Sequence, residues 1–446
     1  MPSARRGPTE LEELDGDSAD ARLDAPTMAA RWNLLSNRWL NLPAALLIGL
    51  IALVTVVPAP SIDLPAISLP WTDQDDEPRN LAALDPSPVA DTPASPAAVA
   101  TPAGQLASAP SGPASVADTA GGATSDLATM AKVQPNELGG VPIIMYHAFT
   151  TDPKYLDEWT LTLDQFREQL DWYRENDFVM VGIQSMVDGH FDVPAGKHPV
   201  ILTFDDASMG QFGLREADDG GWEVKPDTAV GILEEYKKKY PDFVGSAFFA
   251  VLTWNCFESD DDPSTCEERL NWLVDNGYEV GNHTWDHVDM TDVSDEFFSE
   301  TIVSMIHWID ERVPPDHPGN LSHVLVMPFG AFPDPDLHPK QRGWLKWGVW
   351  RNGEHYFLPL VMAVAGGPAI PPYSMDAEPS YTYRIASYPP LLEPWQEAML
   401  SGEAPLFVSD GVPDVVTVPA DQIDQVDEDW AAEHGLEIRT YDAGGS

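Results

Sequence analysis

From about Glu137 onward, short apolar runs alternate with amphipathic segments along the chain. Val141 to His147 predicts a buried strand ending in a Tyr-His pair, and Leu163 to Glu175 predicts a helix, because Phe166, Leu170, Trp172 and Tyr173 recur at helical spacing. Further strands are expected at Phe178–Ile183, Val200–Phe204, Gly245–Leu252, Tyr278–Val280 and Val324–Met327. Helices are expected at Ala229–Tyr240, Glu267–Asn276 and Asp295–Arg312, with Lys237, Lys238 and Lys239 suiting the C-terminal end of the first. Ala207 to Thr228, rich in Gly and Asp, reads as an extended loop. This alternation implies parallel strands joined by crossover helices, an α/β fold of barrel type with its site at the strand C-termini. Beyond Ala386, Leu406–Val408 and Val415–Val418 read as strands and Gln422–Glu433 as a polar helix, packed on the same domain.

The N-terminal third lacks such a pattern. Residues 1–38 are polar, aperiodic and expected to be disordered. No charge occurs in 39–62, and Leu42 to Val57 alone makes about 24 Å of apolar helix, so this stretch is expected to be a transmembrane signal-anchor. Arg22, Arg31 and Arg38 lie before it and mostly acids follow, which places the N-terminus inside and the remainder outside a cell membrane. A cleaved signal peptide, releasing a secreted protein, is the alternative. Residues 63–136 are dominated by Ala, Pro, Ser and Thr and form a linker, leaving 137–446 as the folded domain.

Charge changes the picture next. The 446-residue chain holds 72 acidic and 24 basic residues, a formal net charge of -48. That balance excludes nucleic acid as a partner and fits a saline medium, in which the charges are screened; a cationic partner is the other reading. The two cysteines, Cys256 and Cys266, are expected to close a loop as a disulfide outside the membrane, with free thiols or a metal pair as alternatives. Asp260, Asp261 and Asp262 inside that loop read as solvated rather than as a calcium site.

The candidate chemistry sits at two strand ends. Val200 to Phe204 runs into Asp205 and Asp206, and Tyr278 to Val280 runs into Gly281-Asn282-His283-Thr284-Trp285-Asp286-His287. Either motif alone is ambiguous: histidines four apart arise by chance, and acidic pairs often begin turns. Together they offer one carboxylate and two imidazoles to a cation, with a second carboxylate to spare.

Thr203-Phe204-Asp205-Asp206 with His283-Thr284-Trp285-Asp286-His287 resembles the polysaccharide deacetylase family, carbohydrate esterase family four, over roughly residues 140–386. The resemblance implies a distorted (β/α) barrel in which Asp206, His283 and His287 hold a divalent metal, zinc first among the candidates, and Asp205 is the base. It also implies that a backbone N–H near Phe329, in Pro328-Phe329-Gly330, helps to hold the oxyanion.

Two departures from the family pattern stand out. No Leu-x-His segment follows Arg384 to supply the general acid, and His147, after a Met-Tyr-His strand shared with one branch of the family, is expected to take that role. Val326 stands where the family's base-orienting arginine usually lies, and Arg384, in Tyr381-Thr382-Tyr383-Arg384-Ile385, is expected to replace it unless it is a surface arginine. Asp286 is not expected to be a ligand, and Trp254, Trp272 and Trp285 are assigned to the core before any sugar-stacking role.

The expected function is a metal-dependent hydrolase that removes N-acetyl groups from a polysaccharide of the cell envelope or extracellular matrix. The alternatives are a catalytically impaired carbohydrate-binding protein on the same fold and a deacetylase of O-acetylated xylan.

Overall fold

The computed structural model describes residues 132–218, 220–257 and 262–442. The signal-anchor at 39–62, the segment before it and nearly all of the 63–136 linker lie outside the described residues. Among the described residues, no helix is long and apolar enough to cross a membrane.

Eight strands form one parallel sheet: Ile143–Tyr146 (β1), Phe178–Met180 (β2), His198–Phe204 (β3), Phe248–Val251 (β4), Glu279–Asn282 (β5), Asn320–Val326 (β6), Leu360–Met362 (β7) and Ile385–Ala386 (β8). The hydrogen-bonded order is β7-β6-β5-β4-β3-β1-β8, with β2 beside the start of β3. Register runs through Ile144↔Leu202, Thr203↔Phe248 and Phe249↔Val280. Both faces of β3 are buried, as its unbroken Val-Ile-Leu run requires of a central parallel strand. The two edges approach each other across the segment leading into β8: Thr382 bridges Met362 of β7 in parallel, while Ile385 pairs with Ile144 of β1. The sheet therefore curls, and its strand C-termini face a common centre.

Crossover helices cover it. Leu163–Glu175 (α1) begins at a capping box of Thr162 with Gln165, Ala229–Lys239 (α2) is capped by Thr228, and Cys266–Asp275 (α3) begins at a second box, Thr265 with Glu268. Asp295–Asp310 (α4) is capped by Ser294 and buries Phe298, Ile302 and Ile306 in one core cluster with Leu325 and Val361. These four fall where the pattern puts them. Pro339–Trp347 (α5) and Pro389–Ser401 (α6) were not expected, and each starts on proline, one in α5 and two in α6. Proline reads as a breaker in a sequence scan, yet its missing N–H costs nothing at a helix N-terminus.

Several expectations need correction. The supposed loop 207–228 holds an antiparallel ladder in which Leu214 pairs with Val224 and Glu216 with Trp222. Leu406 and Val408 make only isolated bridges, to Gly140 and Asn136. The polar helix divides into a 3-10 turn, Ala420–Gln425, and a short helix, Glu428–Glu433. Asp262 is not solvated: its Oδ2 accepts Leu214 N at 2.8 Å, its Oδ1 accepts Ser264 N at 2.9 Å, and Arg269 Nε lies 3.4 Å away. Asp260 and Asp261 lie outside the described residues. At the C-terminus, Val415–Pro419 (β9) and Glu437–Tyr441 (β10) form a parallel pair whose Val416 and Val418 share a core cluster with Ile143 and Ile201.

Candidate active site

Asp205 follows β3 directly and stays in the sheet's hydrogen bonding, its N–H donating to Tyr146 O at 2.9 Å. The side chain is 1% exposed, which would favour the neutral acid. Arg384 reverses that. Fully buried at 0%, it donates from Nη1 to Asp205 Oδ1 and from Nη2 to Asp205 Oδ2, both at 2.8 Å. Burial pushes the Asp205 carboxyl up, but the paired guanidinium, joined by the lesser pull of His283 and His147, more than offsets it and holds the group below the usual carboxylate range. Arg384 is itself fixed by bonds to Ala363 O (2.6 Å) and Thr203 Oγ1 (3.0 Å). It is thus no surface arginine. It stands just before β8, after a 3-10 turn at Pro379–Tyr381, rather than inside a longer strand. Val326, at the position it substitutes, is buried and lends its carbonyl to His283.

Asp206 turns away from the sheet at φ 72°. Its Oδ1 lies 3.2 Å from His283 Nε2 and 3.2 Å from His287 Nε2. One ligand atom from each of these three residues falls within 4.8 Å of the others. In the neutral imidazole that a metal requires, His283 Nδ1 donates to Val326 O, 3.0 Å away, so Nε2 carries the lone pair and points at an oxygen that also only accepts. Asp206 Oδ1 is buried and has no hydrogen-bond partner. Acceptors converging on a shared point, one of them orphaned, fit a cation between them, and two imidazole nitrogens with one carboxylate oxygen suit a first-row divalent ion. Asp286 is exposed and stands outside the cluster.

The backbone around these groups is strained. Among the described residues, nine non-glycine positions have positive φ, and five of them, Asp206, Ala207, Thr284, His287 and Phe329, are in or beside the cluster. Side chains hold the turns: Asn282 Oδ1 accepts Thr284 N (2.8 Å), Thr284 Oγ1 accepts His287 N (3.2 Å), and Thr301 Oγ1 accepts Trp285 N (3.0 Å). Phe329, at φ 56° in the turn Pro328–Gly330 after β6, sets its ring 4.6 Å from that of His287.

His147, just after β1, places Nε2 3.8 Å from Asp205 Oδ2. Burial lowers its pKa and the charges of Asp205 and Asp206 work against that, leaving it below the ordinary histidine value. Two residues without any motif signal complete the support. Gln211 Nε2 donates to His147 O (2.7 Å) and Asp205 O (2.6 Å), while Asn255 Nδ2 donates to Asp206 O (3.0 Å). Asn255 precedes Cys256, which is bonded to Cys266 with Cα atoms 5.7 Å apart. That bridge braces the loop beside the cluster.

With this geometry in view, comparison with known proteins is informative. Residues 192–336 match the family model described as polysaccharide deacetylase, so the recognition made from the motifs holds, over a shorter span than the motifs suggested. Asp205, Asp206, His283, His287 and Phe329 lie inside the match; His147 and Arg384 lie outside it. No curated protein matches the sequence. Among solved structures, the chain is similar to the Streptococcus pyogenes deacetylase PplD, at 17% identity over 55% of this chain and 92% of that one, with TM-score 0.39. A polysaccharide deacetylase from Bacillus cereus is 16% identical over 58% and 68% of the two chains, with TM-score 0.41. IcaB from Ammonifex degensii is 18% identical over 58% and 98%, with TM-score 0.37.

Proposed function

We propose that this chain is a metal-dependent hydrolase that removes N-acetyl groups from an N-acetylated polysaccharide of the cell envelope or extracellular matrix, on a distorted (β/α) barrel. The observation that carries the reading is a division of labour between neighbours: Asp205 is paired with an arginine, whereas Asp206 is pointed at the Nε2 atoms of two imidazoles. A divalent ion held by Asp206, His283 and His287, zinc by its donor set, would supply Lewis-acid charge to an amide carbonyl and lower the pKa of a water.

The protein's own groups do the rest. Asp205, kept ionised by Arg384, accepts the proton of the attacking water. A backbone N–H near Phe329 would help to hold the oxyanion. The C–N bond then breaks to give acetate and an amine, and His147 delivers the proton that the amine needs. Burial lowers the affinity of His147 for that proton, and the charges of Asp205 and Asp206 oppose burial in part.

The N-terminal apolar segment would hold the enzyme at the cell membrane, with the 63–136 linker letting the domain reach substrate outside it. The rival reading is a carbohydrate-binding protein without turnover. It draws on the valine at 326 and on the missing Leu-x-His segment after Arg384; the Asp205–Arg384 pair speaks against the first, and His147, 3.8 Å from Asp205, against the second. Metal content measured together with acetate release from N-acetylglucosamine oligomers and from peptidoglycan tests the proposal. Acetate released in proportion to bound metal is expected; a filled site with no acetate from any polymer would leave the binding reading.

A further inference from the structure

The carboxylate of Asp206 reaches its place through an awkward stretch of chain. Asp206 at φ 72° and Ala207 at φ 49° are consecutive non-glycine residues in the left-handed region, a conformation that persists only where neighbours hold it. One loop holds the carbonyls of both. Asn255 Nδ2 donates to Asp206 O at 3.0 Å, and Phe257 N donates to Ala207 O at 2.8 Å. Phe257, itself at φ 58°, is fully buried, with its ring against those of Phe212 and Phe249.

That loop joins β4 to α3, and connections of this kind are ordinarily the mobile part of a fold. This one is fastened twice at the residue between its two grips. Cys256, which separates Asn255 from Phe257, is bonded to Cys266, the first residue of α3. Arg269, one turn further along the helix and 4% exposed, donates from Nη1 to the Cys256 carbonyl at 2.7 Å and from Nε to Ser264 Oγ at 3.0 Å, with Asp262 3.4 Å away to answer its charge. Leu270, Leu273 and Val274 fix the helix in the core. Trp254, on the same loop, takes no part: the expectation that Trp254, Trp272 and Trp285 are core residues holds only for Trp272, which packs against Phe212.

We propose that the Cys256–Cys266 bridge and Arg269 form a brace that positions Asp206 for the metal through Asn255 and Phe257, so that severing the brace lowers the metal affinity of the site. The proposal rests on the metal-site reading and adds what holds its carboxylate in place. A ligand fixed in advance meets the ion without an ordering cost, whereas one on a loose turn must be ordered by the ion, and affinity falls accordingly. Asn255, Cys256 and Arg269 touch no reacting atom; they are positioning residues.

The test is titration of the full chain with cobalt(II), read from its visible absorption and, by competition with a chelator, as an affinity, so that no turnover is needed. The double variant Cys256→Ser/Cys266→Ser, and Asn255→Ala with the bridge intact, should each bind cobalt about 10–100-fold more weakly than the parent chain, with altered absorption bands. Glu137→Gln, whose side chain bonds Asp410 N and Thr417 N and nothing in this loop, should lower stability yet keep the parent affinity and spectrum. Unfolding curves recorded without metal identify the folded variants, and Asn255→Ala decides the matter if the double variant does not fold. Undiminished affinity in the folded variants, or an equal loss in Glu137→Gln, would overturn the proposal, because a bridge that served stability alone would behave in that way. A parent chain that takes up no cobalt would overturn the metal reading itself, and the brace with it.

Discussion

Two buried acid–arginine clusters in this domain use the same residue types for opposite ends. At the C-terminal attachment, Glu137 Oε1 accepts Asp410 N (3.1 Å) and its Oε2 accepts Thr417 N (2.7 Å). Asp410 in turn accepts Val412 N, Thr417 Oγ1 and Arg439 Nη1, the last at 2.8 Å. Every carboxylate oxygen there has a donor. At the strand ends, Asp205 is equally well satisfied, but Asp206 Oδ1 faces two imidazole nitrogens and has no hydrogen-bond partner. Strained non-glycine backbone follows the same division, at Asp206 and His287 and at none of Glu137, Asp410, Thr417 or Arg439. Satisfied buried charge fastens a fold together, whereas buried charge left open marks a place built for something else.

The largest effects should come from the open cluster. Removing metal with a chelator, or replacing His283 with Ala, should abolish acetate release, and metal analysis should show the site empty in both cases. Full activity in metal-free protein would mean that the orphaned oxygen has been misread. Asp205→Asn is the sharper probe, because it spares the three ligands. Turnover should fall about 10²–10⁴-fold with bound metal retained. Loss of metal in that variant would merge the roles that the geometry keeps apart.

The sequence made one side of this comparison legible and hid the other. Asp205-Asp206 and His283-x-x-x-His287 each follow a hydrophobic strand, so the motif and the place where a parallel sheet puts its site coincide. The α1 boundaries were readable from apolar spacing, and the capping box found in the structure starts the helix at the same place. Gln211 and Asn255 were invisible, since each acts by bonding a backbone carbonyl and no pattern signals that. Arg384 was reachable only by elimination, as a strand-end base in an acid-rich domain. The Glu137–Asp410 cluster joins residues 273 positions apart through backbone N–H groups, and nothing local in either segment announces it.

Arg384 tests whether a fully satisfied pair can also serve chemistry. Arg384→Ala leaves Asp205 buried with its main counter-charge gone and should cost about 3–5 kcal/mol in denaturant unfolding. With burial unopposed, the Asp205 pKa should rise, so the acid limb of the pH–rate profile should move upward in the folded variant. Arg384→Lys should restore it only in part, because an ammonium returns the charge but not the two-fold hydrogen bonding in the plane of the carboxylate. Unchanged turnover and an unmoved acid limb in Arg384→Ala would reduce the pair to a structural one, like its counterpart at the C-terminus.

Glu137→Gln should have the smallest effect and leave turnover untouched. The amide offers one oxygen where the carboxyl group offers two, so the N–H of Asp410 or of Thr417 loses its acceptor, at about 1–3 kcal/mol. The pH dependence carries the more telling sign. Burial, aided by the charge of Asp410, raises the Glu137 pKa well above 4.5 against the opposing pull of the two N–H donors. In the window from 4.5 up to that raised value the native state holds more protons than the unfolded chain, so this group's contribution to stability falls as pH rises. The variant has no proton to lose there, and its stability deficit should therefore be greatest near pH 4.5 and narrow toward neutrality, as urea titrations at several pH values would show. A deficit that widens with pH would mean that Glu137 is ionised in the fold and that the Arg439 charge, acting through Asp410, outweighs its burial.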